Sequence, residues 1–425
     1  MKKRRSVGIW LVLMGILTTW PLARADSAEQ MKALTLADCY RMALKQSEEI
    51  AIDAELLNET EGRFMQSLSG ILPHVSFSSS DKRQDGSGSS AFTLKNVPER
   101  KFTFSQPLFS GFKEFAAMRG ARLERHEREY EKARAEQLLL VDVSDAYHFL
   151  LEQREDLRVL DSIRKILRDR IGELEARERL GRSRSSELVA VQAQLYRVEA
   201  EWEQAQSRET ITAQLVEFLT GLDAIGDLAD PGPNLPTADP EEMLLAKADS
   251  RADVKALEQT LGITQQQLKA AKAKFFPTVG LDGNYYVERA GASKDVTWDA
   301  SLKVDVPIFQ GGNAVGATKE ATSGVKQAEL RLRQRRRMAR QEIRDAYTEY
   351  DAALAQLRAF TKALEATEES YQLQVHEYLL NLVSNLEVLQ SLQTLQDSRR
   401  EVIHARHEAL RRYWKLKSAA GETLS

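Results

Sequence analysis

Residues able to carry acid–base, nucleophilic or metal chemistry are few and scattered along this chain. The six histidines are His74, His126, His148, His376, His404 and His407, and only the last two stand at a helical i, i+3 spacing. With no cysteine or second carboxylate–histidine cluster nearby, that pair does not amount to a metal site. Cys39 is the sole cysteine, so no disulfide can form within the chain. No phosphate-cradling glycine loop and no nucleophile elbow occurs, so neither an enzyme nor a cofactor is expected. The polar residues that do form a pattern lie on alternating segments. Gly280, Asp282, Asn284 and Tyr286 alternate with Val279, Leu281, Tyr285 and Val287, while Asp299, Ser301, Lys303 and Asp305 alternate with Trp298, Ala300, Leu302, Val304 and Val306. One face of such a hairpin is apolar and the other charged. If the polar face lined a water-filled lumen, three acids against Lys303 would give a mild cation preference.

Other charge signals have plainer readings. The net charge is −3 with 29% charged residues, so bulk electrostatics favour neither nucleic acid nor an anionic surface. The run Arg331-Leu332-Arg333-Gln334-Arg335-Arg336-Arg337 is flanked by acids and reads as a solvated helix face. At the start, Lys2-Lys3-Arg4-Arg5, the apolar run Val7 to Trp20 and Ala23-Arg24-Ala25 have the form of a signal peptide, residues 1–25, cleaved before Asp26. Leu36-Ala37-Asp38-Cys39 superficially resembles a lipoprotein signal, but it carries an acid before the cysteine and lies well past the apolar core. A buried helix residue is the expected role of Cys39.

What positions these residues is an internal repeat. Phe102-Thr103-Phe104-Ser105-Gln106-Pro107 with Gly111 recurs 200 positions later as Leu302-Lys303-Val304-Asp305-Val306-Pro307 with Gly311. Asp145-Ala146-Tyr147 recurs as Asp345-Ala346-Tyr347, and Leu180-Gly181 falls on Leu380-Asn381. Upstream the offset is 204, matching Glu49-Ile50 to Asp253-Val254 and Pro73 to Pro277. The chain is thus predicted to be a tandem duplication of a helix, strand, strand, long helix, helix unit. Copy one spans 26–230 with strands about 73–83 and 101–109; the linker is 231–240; copy two spans 241–425 with strands about 277–288 and 297–308.

Thr35-Leu36-Ala37-Asp38 reads as a capping box, opening one helix that runs to Leu72 before Pro73. No proline lies between Pro107 and Pro231 or after Pro307, which permits very long helices. Phe112 to Arg179 would extend on the order of 100 Å at 1.5 Å per residue. An apolar seam is expected along it at Leu138, Val141, Leu150, Leu157, Leu160, Ile163, Leu167, Ile171 and Leu174. Gly181, and Asn381 in the second copy, suit the left-handed turn that reverses the chain, with a return helix over Glu187 to Leu219.

Strands of roughly 10 residues can cross an outer membrane when tilted, but four strands cannot close, and open edges are untenable in lipid. Further copies of the chain must complete a barrel, and helices too hydrophilic for the membrane must extend into the periplasm. Leu34-Thr35-Leu36 leading to Ala43-Leu44, Leu72-Pro73, Gln106-Pro107-Leu108-Phe109-Ser110-Gly111 and Val306-Pro307-Ile308-Phe309-Gln310-Gly311-Gly312 resemble the TolC-like outer membrane efflux protein family, over essentially the whole mature chain. The resemblance implies a mainly α fold with membrane β-barrel strands, a homotrimer with a 12-stranded barrel continued by an α-helical periplasmic tunnel. It implies an exit duct working with a periplasmic adaptor (membrane fusion) protein and an inner-membrane pump of RND or ABC type, for efflux or type I secretion. Outer membrane lipid is the surrounding medium, and nucleic acid is not a partner.

The same resemblance places a gate and adaptor-contact tips at the helix turns, Gly181 and Asn381. The family's tyrosine–acid tie falls on Tyr378 and Glu187. Its arginine–hydroxyl tie falls on Val383 and Ser186, where valine cannot form it. Its acid ring falls on Glu387, with Gln390 where a second acid would stand. A closed state with fewer polar ties and one acidic ring is therefore expected. Glu187 and Glu387 also read as helix-start acids favoured by the dipole. The competing reading is a periplasmic coiled-coil adaptor or scaffold, which would share long helical hairpins but not a duplicated amphipathic strand hairpin.

Overall fold

A computed structural model describes residues 33–232, 235–380 and 382–424; the expected signal peptide and Asn381 lie outside them. Helix α1 (Leu36–Gln46) opens with the capping box, Thr35 Oγ1 accepting from the Asp38 amide at 3.2 Å while Asp38 accepts from the Thr35 amide. The single helix expected to Leu72 is instead two. Ser47 is extended, caps α2 (Glu48–Ser69) by accepting from the Ile50 amide, and so breaks the rod before Glu48 and Glu49. Strands β1 (His74–Arg83) and β2 (Asn96–Ser110) follow. Strand β2 starts five residues before the expected Lys101, because Asn96 to Arg100 pair with Ser79 to Arg83. Helix α3 (Lys113–Arg179) returns as α4 (Ser185–Thr220). Copy two repeats the order: α5 (Glu241–Ala246), α6 (Ala252–Lys272), β3 (Thr278–Arg289), β4 (Trp298–Asp305), α7 (Asn313–Leu379) and α8 (Asn385–Ala419). Strand β4 ends at Asp305 rather than near 308, just before Pro307, which has no amide to continue a ladder.

Helices α3 and α7 are 67 residues each, about 100 Å long. Their far ends turn alike. Gly181 is left-handed (φ 68°), and Gly181 and Arg182 donate back to the carbonyls of Glu178 and Arg177 at 2.8 Å, a Schellman closure that glycine accommodates without strain. In the second copy, Leu382 donates to the Glu377 carbonyl at 2.9 Å in the same manner.

The near ends differ. Gly312 (φ 84°) precedes α7, whereas the matching position before α3 is Phe112 (φ 65°), the one non-glycine residue at positive φ among those described. Forcing a Cβ there costs about 1–2 kcal/mol.

The four strands form one antiparallel sheet in the order β1–β2–β3–β4. The two copies are thus joined through β2 and β3. Cross-strand partners share a face: Val75–Phe104, Phe77–Phe102, Phe102–Tyr285, Tyr285–Trp298, Leu281–Leu302 and Val279–Val304 make an apolar face. Its side chains are exposed or half-buried, and β1 and β4 are exposed throughout. Among the described residues, no helix packs over either face of the sheet. Among the described residues no helix is long and apolar enough to cross a membrane.

The core lies along the helices. One cluster packs Cys39, Tyr40, Leu140, Val143, Tyr147 and Leu150 against Leu228, in the segment after α4. Burial pushes the Cys39 thiol up to about 11, so it packs as a small hydrophobe. Its counterpart packs Leu244, Val254, Ile343, Tyr350 and Leu416. Tyr147 donates to the carbonyls of Leu34 and Ala229 at 2.9 and 2.6 Å, and Tyr350 donates to that of Pro236. The second tyrosine clamp is therefore one helical turn beyond the matching Tyr347. Toward the tips, Leu160, Ile163, Leu167 and Leu174 of α3 pack on Val191, Val198 and Leu392. Leu138, expected in this seam, is exposed; Leu140 and Val143 take the buried stripe there, because that is the face on which α1 and the end of α4 pack together.

Candidate gate and channel-lining faces

At the tips, the α7 end presents Tyr378, which is buried against α3. The Arg170 guanidinium lies 3.9 Å from the ring centroid and Arg177 5.1 Å, and Arg177 Nη1 is 3.5 Å from the hydroxyl. These arginines are seven residues apart, two turns of one helix face, and Glu173 between them pairs with both at 2.7 and 2.6 Å. Arg170 also donates to Asn385 Oδ1 at 3.1 and 3.0 Å, tying α3 to the first turn of α8. The expected Tyr378–Glu187 bond is not formed within the chain. The planar guanidinium groups occupy the tyrosine ring face, and Glu187 instead accepts from Ser183 Oγ at 2.9 Å in its own turn.

Glu387 closes a capping box on Ser384, accepting from its amide at 2.6 Å and its hydroxyl at 2.8 Å; that amide holds its carboxyl below the usual range. The carboxylate is exposed, as are Ser186 and Gln390, while Val383 is half-buried beside the turn.

Above the tips, α3 and α8 are laced together. Arg400 reaches Asp156 at 2.6 Å and Glu201 at 2.9 Å. Glu152 accepts from Arg411 at 2.7 Å and faces His404 Nδ1 at 2.9 Å. The i, i+3 histidines therefore meet different acids: His404 faces Glu152 at the surface, while His407 turns inward, 3.5 Å from Glu155 and with its ring centroid 6.1 Å from that of His148. The arginine run is not wholly solvated, because Arg335 pairs with Asp253 and Glu342 and Arg336 with Glu258 at 2.7 Å, leaving Arg331, Arg333 and Arg337 exposed.

Sequence reasoning missed Arg251. Its side chain is fully buried, yet it reaches Asp253 and Glu342 at 2.7 Å each and donates to the carbonyl of Ala419 at 3.1 Å. The pairing with Glu342 spans 91 positions, a separation no local pattern signals.

On the sheet, the second face carries the polar set. Ser105 donates to Asp282 at 2.7 Å, Thr103 to Asn284 at 3.0 Å, and Asn284 and Tyr286 both donate to Asp299 at 2.8 Å. Lys303 stands opposite Gly280 and Asp305 opposite Thr278 on this face. The register thus gathers Asp282, Asn284, Asp299, Lys303 and Asp305 on one face of β3 and β4, with Asp282, Asn284 and Asp299 hydrogen-bonded to neighbouring side chains there.

The model of the family described as outer membrane efflux protein matches this chain twice, over residues 39–222 and 246–422. The alkaline protease secretion protein AprF of Pseudomonas aeruginosa is 21% identical, over 92% of this chain and 85% of that protein. Outer membrane protein TolC of Vibrio cholerae is 20% identical, over 92% of each. Among solved structures, the outer membrane protein VceC from Vibrio cholerae superposes with a TM-score of 0.77 at 19% identity, covering 91% of this chain and 96% of that one. CusC superposes at 0.79 with 17% identity, covering 91% and 92%.

Proposed function

Because this chain belongs to the outer membrane efflux protein family, we propose that three copies of it assemble into a closed-tip exit duct. It is an outer membrane channel for efflux or secretion. The observation that carries the duct reading is the sheet: four strands with two open edges, apolar on one face and polar on the other, set on helices about 100 Å long. Three such sheets supply twelve strands, enough to close a barrel with the apolar faces in lipid and the polar bands inward. Substrates would arrive from a periplasmic adaptor and an inner-membrane pump of RND or ABC type. A periplasmic adaptor or scaffold, the other use of long helical hairpins, would have no need of an apolar sheet face left uncovered. Detergent extraction from the outer membrane, sizing and planar-bilayer recording test the proposal: a trimer giving small, infrequent currents is expected, and a soluble periplasmic monomer would overturn it.

Asp282, Asp299 and Asp305 outweigh Lys303 on each polar band, so cation preference is expected from reversal potentials in a KCl gradient. Asp282→Asn with Asp305→Asn should reduce it, and an anion-selective wild type would refute the lumen assignment.

The gate is proposed at the tips, with Glu387 as the acidic ring, Gln390 leaving no second one, and Tyr378 as the latch. Two cation–π contacts are worth about 1–2 kcal/mol together, or about tenfold in an open-to-closed ratio. Arg170→Ala with Arg177→Ala should therefore raise open probability, whereas Tyr378→Phe keeps the ring face and should raise it less. Equal effects would shift the latch to the hydroxyl and its tie to Glu187 of a neighbouring copy.

A further inference from the structure

The sheet meets the helices at two structurally different grooves. One, near Lys113, Lys274, Thr278 and Asp305, belongs to the polar face. The other, about 520 Å³, lies between α3 and α6 on the apolar side and is lined by Phe112, Phe115, Phe276, Arg119, Lys269 and Lys272. Its side is fixed by contacts. Phe109 pairs with Val279 of the apolar face, its ring stands 5.0 Å from Phe112, and Phe112 stands 6.2 Å from Phe115. These three rings continue the apolar face downward, past the end of the strands, onto the first two turns of α3.

Below them the groove turns basic. Arg119 is seven residues beyond Phe112, about 10 Å along the helix, and lies level with Gln266 of α6, whose Cβ would be 3.8 Å from one placed on Gly120. Among the described residues, neither Arg119 nor Lys272 has a carboxylate within ion-pair distance, and Lys269 reaches only Gln266 Oε1 at 3.4 Å.

The duplication shows that the fold does not require this groove. At the matching positions of the other copy, Phe112 is replaced by Gly312, Lys269 by Met65 and Lys272 by Leu68. Phe112 holds a left-handed backbone that Gly312 adopts without strain, and its ring is 62% exposed in the chain. A strained, exposed aromatic beside unpartnered cations points to a ligand rather than to packing.

We propose that this groove binds a phospholipid of the periplasmic leaflet, its phosphate held by Arg119, Lys269 and Lys272 and its acyl chains laid along Phe112, Phe115 and the apolar sheet face. The occupant follows from continuity with the lipid-facing surface and from charge complementarity: aromatic rings sit at headgroup depth and the cations lie one phosphate layer further out. The inference rests on the channel reading, which orients the sheet in the membrane.

The full-length protein, purified in detergent and titrated with palmitoyl-oleoyl phosphatidylglycerol, is examined by native mass spectrometry, with conductance recorded on the same preparations. Arg119→Gln/Lys269→Gln/Lys272→Gln should lower lipid retention on the order of a hundredfold. Phe112→Gly, which installs the residue that serves in copy two, should also lower it while leaving the channel folded and conducting. Lys113→Gln/Lys274→Gln, on the polar face, should leave retention unchanged. Retention unaffected by the triple variant, equal retention of dioleoylglycerol, or displacement of the lipid by equimolar inorganic phosphate would each overturn the proposal while conductance persists. A wild-type protein that neither conducts nor fractionates with the outer membrane would overturn the channel reading and this site with it.

Discussion

Replacing Arg251 by leucine is expected to destabilise the protein by about 3–5 kcal/mol, the cost of removing one partner from a buried ion network. The guanidinium is enclosed between the start of α6, the middle of α7 and the end of α8. It satisfies Asp253 through Nε at 3.1 Å and Nη2 at 2.7 Å, Glu342 through Nη2 at 2.7 Å, and the Ala419 carbonyl through Nη1 at 3.1 Å. Arg335 shares both acids, and Arg134 lies 3.9 Å from Asp253. These partners hold the Asp253 carboxyl below its ordinary range against the effect of burial. Without Arg251, two carboxylates are left with one close cation and a carbonyl loses its donor. Arg251→Lys keeps the charge but not the fork, so an intermediate loss is expected. Thermal or urea unfolding followed by circular dichroism reads the difference; a leucine variant within 1 kcal/mol of wild type, an order-of-magnitude threshold at about the worth of an exposed pair, would show the network to be dispensable.

Stability should also fall as the pH drops below about 6.5, the ordinary histidine value, with His148 as a principal cause. Its ring is buried, neither nitrogen has a hydrogen-bond partner among the described residues, and burial together with His407, Arg411 and Arg406 pushes its pKa down to about 3, against an opposing effect of Asp230. The sign follows from linkage. Between about 6.5 and 3 the unfolded chain binds a proton that the folded one refuses, so each pH unit removes up to about 1.4 kcal/mol. The contribution is undiminished above that window and lost progressively through it. His404 acts in the opposite sense: its bond to Glu152 raises its pKa, so what it adds is present at pH below the unfolded value and fades as pH rises through its folded one. It is exposed, and solvent keeps its effect small. Melting temperatures from pH 8 to 5 should therefore decline less for His148→Leu than for wild type. Parallel curves would assign the acid sensitivity to other groups.

What can be read from a sequence here is what repeats or alternates locally. The period-two alternation of Val279 to Val287, the absence of proline from Pro107 to Pro231, the capping box at Thr35 and the turn at Gly181 each concern residues within a few positions of one another. Their physical causes are steric and local, so strands, long rods and turns are legible. The break at Ser47 was legible in principle as well, since a serine followed by two acids is a helix start, but the apolar spacing continued across it. The displaced clamp at Tyr350 and the switch of the buried stripe from Leu138 to Leu140 were not, because a neighbouring helix chooses which face of a rod is covered.

The chain's own order of residues thus determined the duplication, the rods, the amphipathic strands and the membrane family they resemble. Only the tertiary structure decided that the copies join through β2 and β3, that Arg170 and Arg177 hold Tyr378, and that Arg251 is buried against Glu342. It also set the groove of unpaired cations beside Phe112. These are pairings between residues tens to hundreds of positions apart, fixed by which helix faces and strand edges find each other, and charge or periodicity along the chain carries no record of that choice.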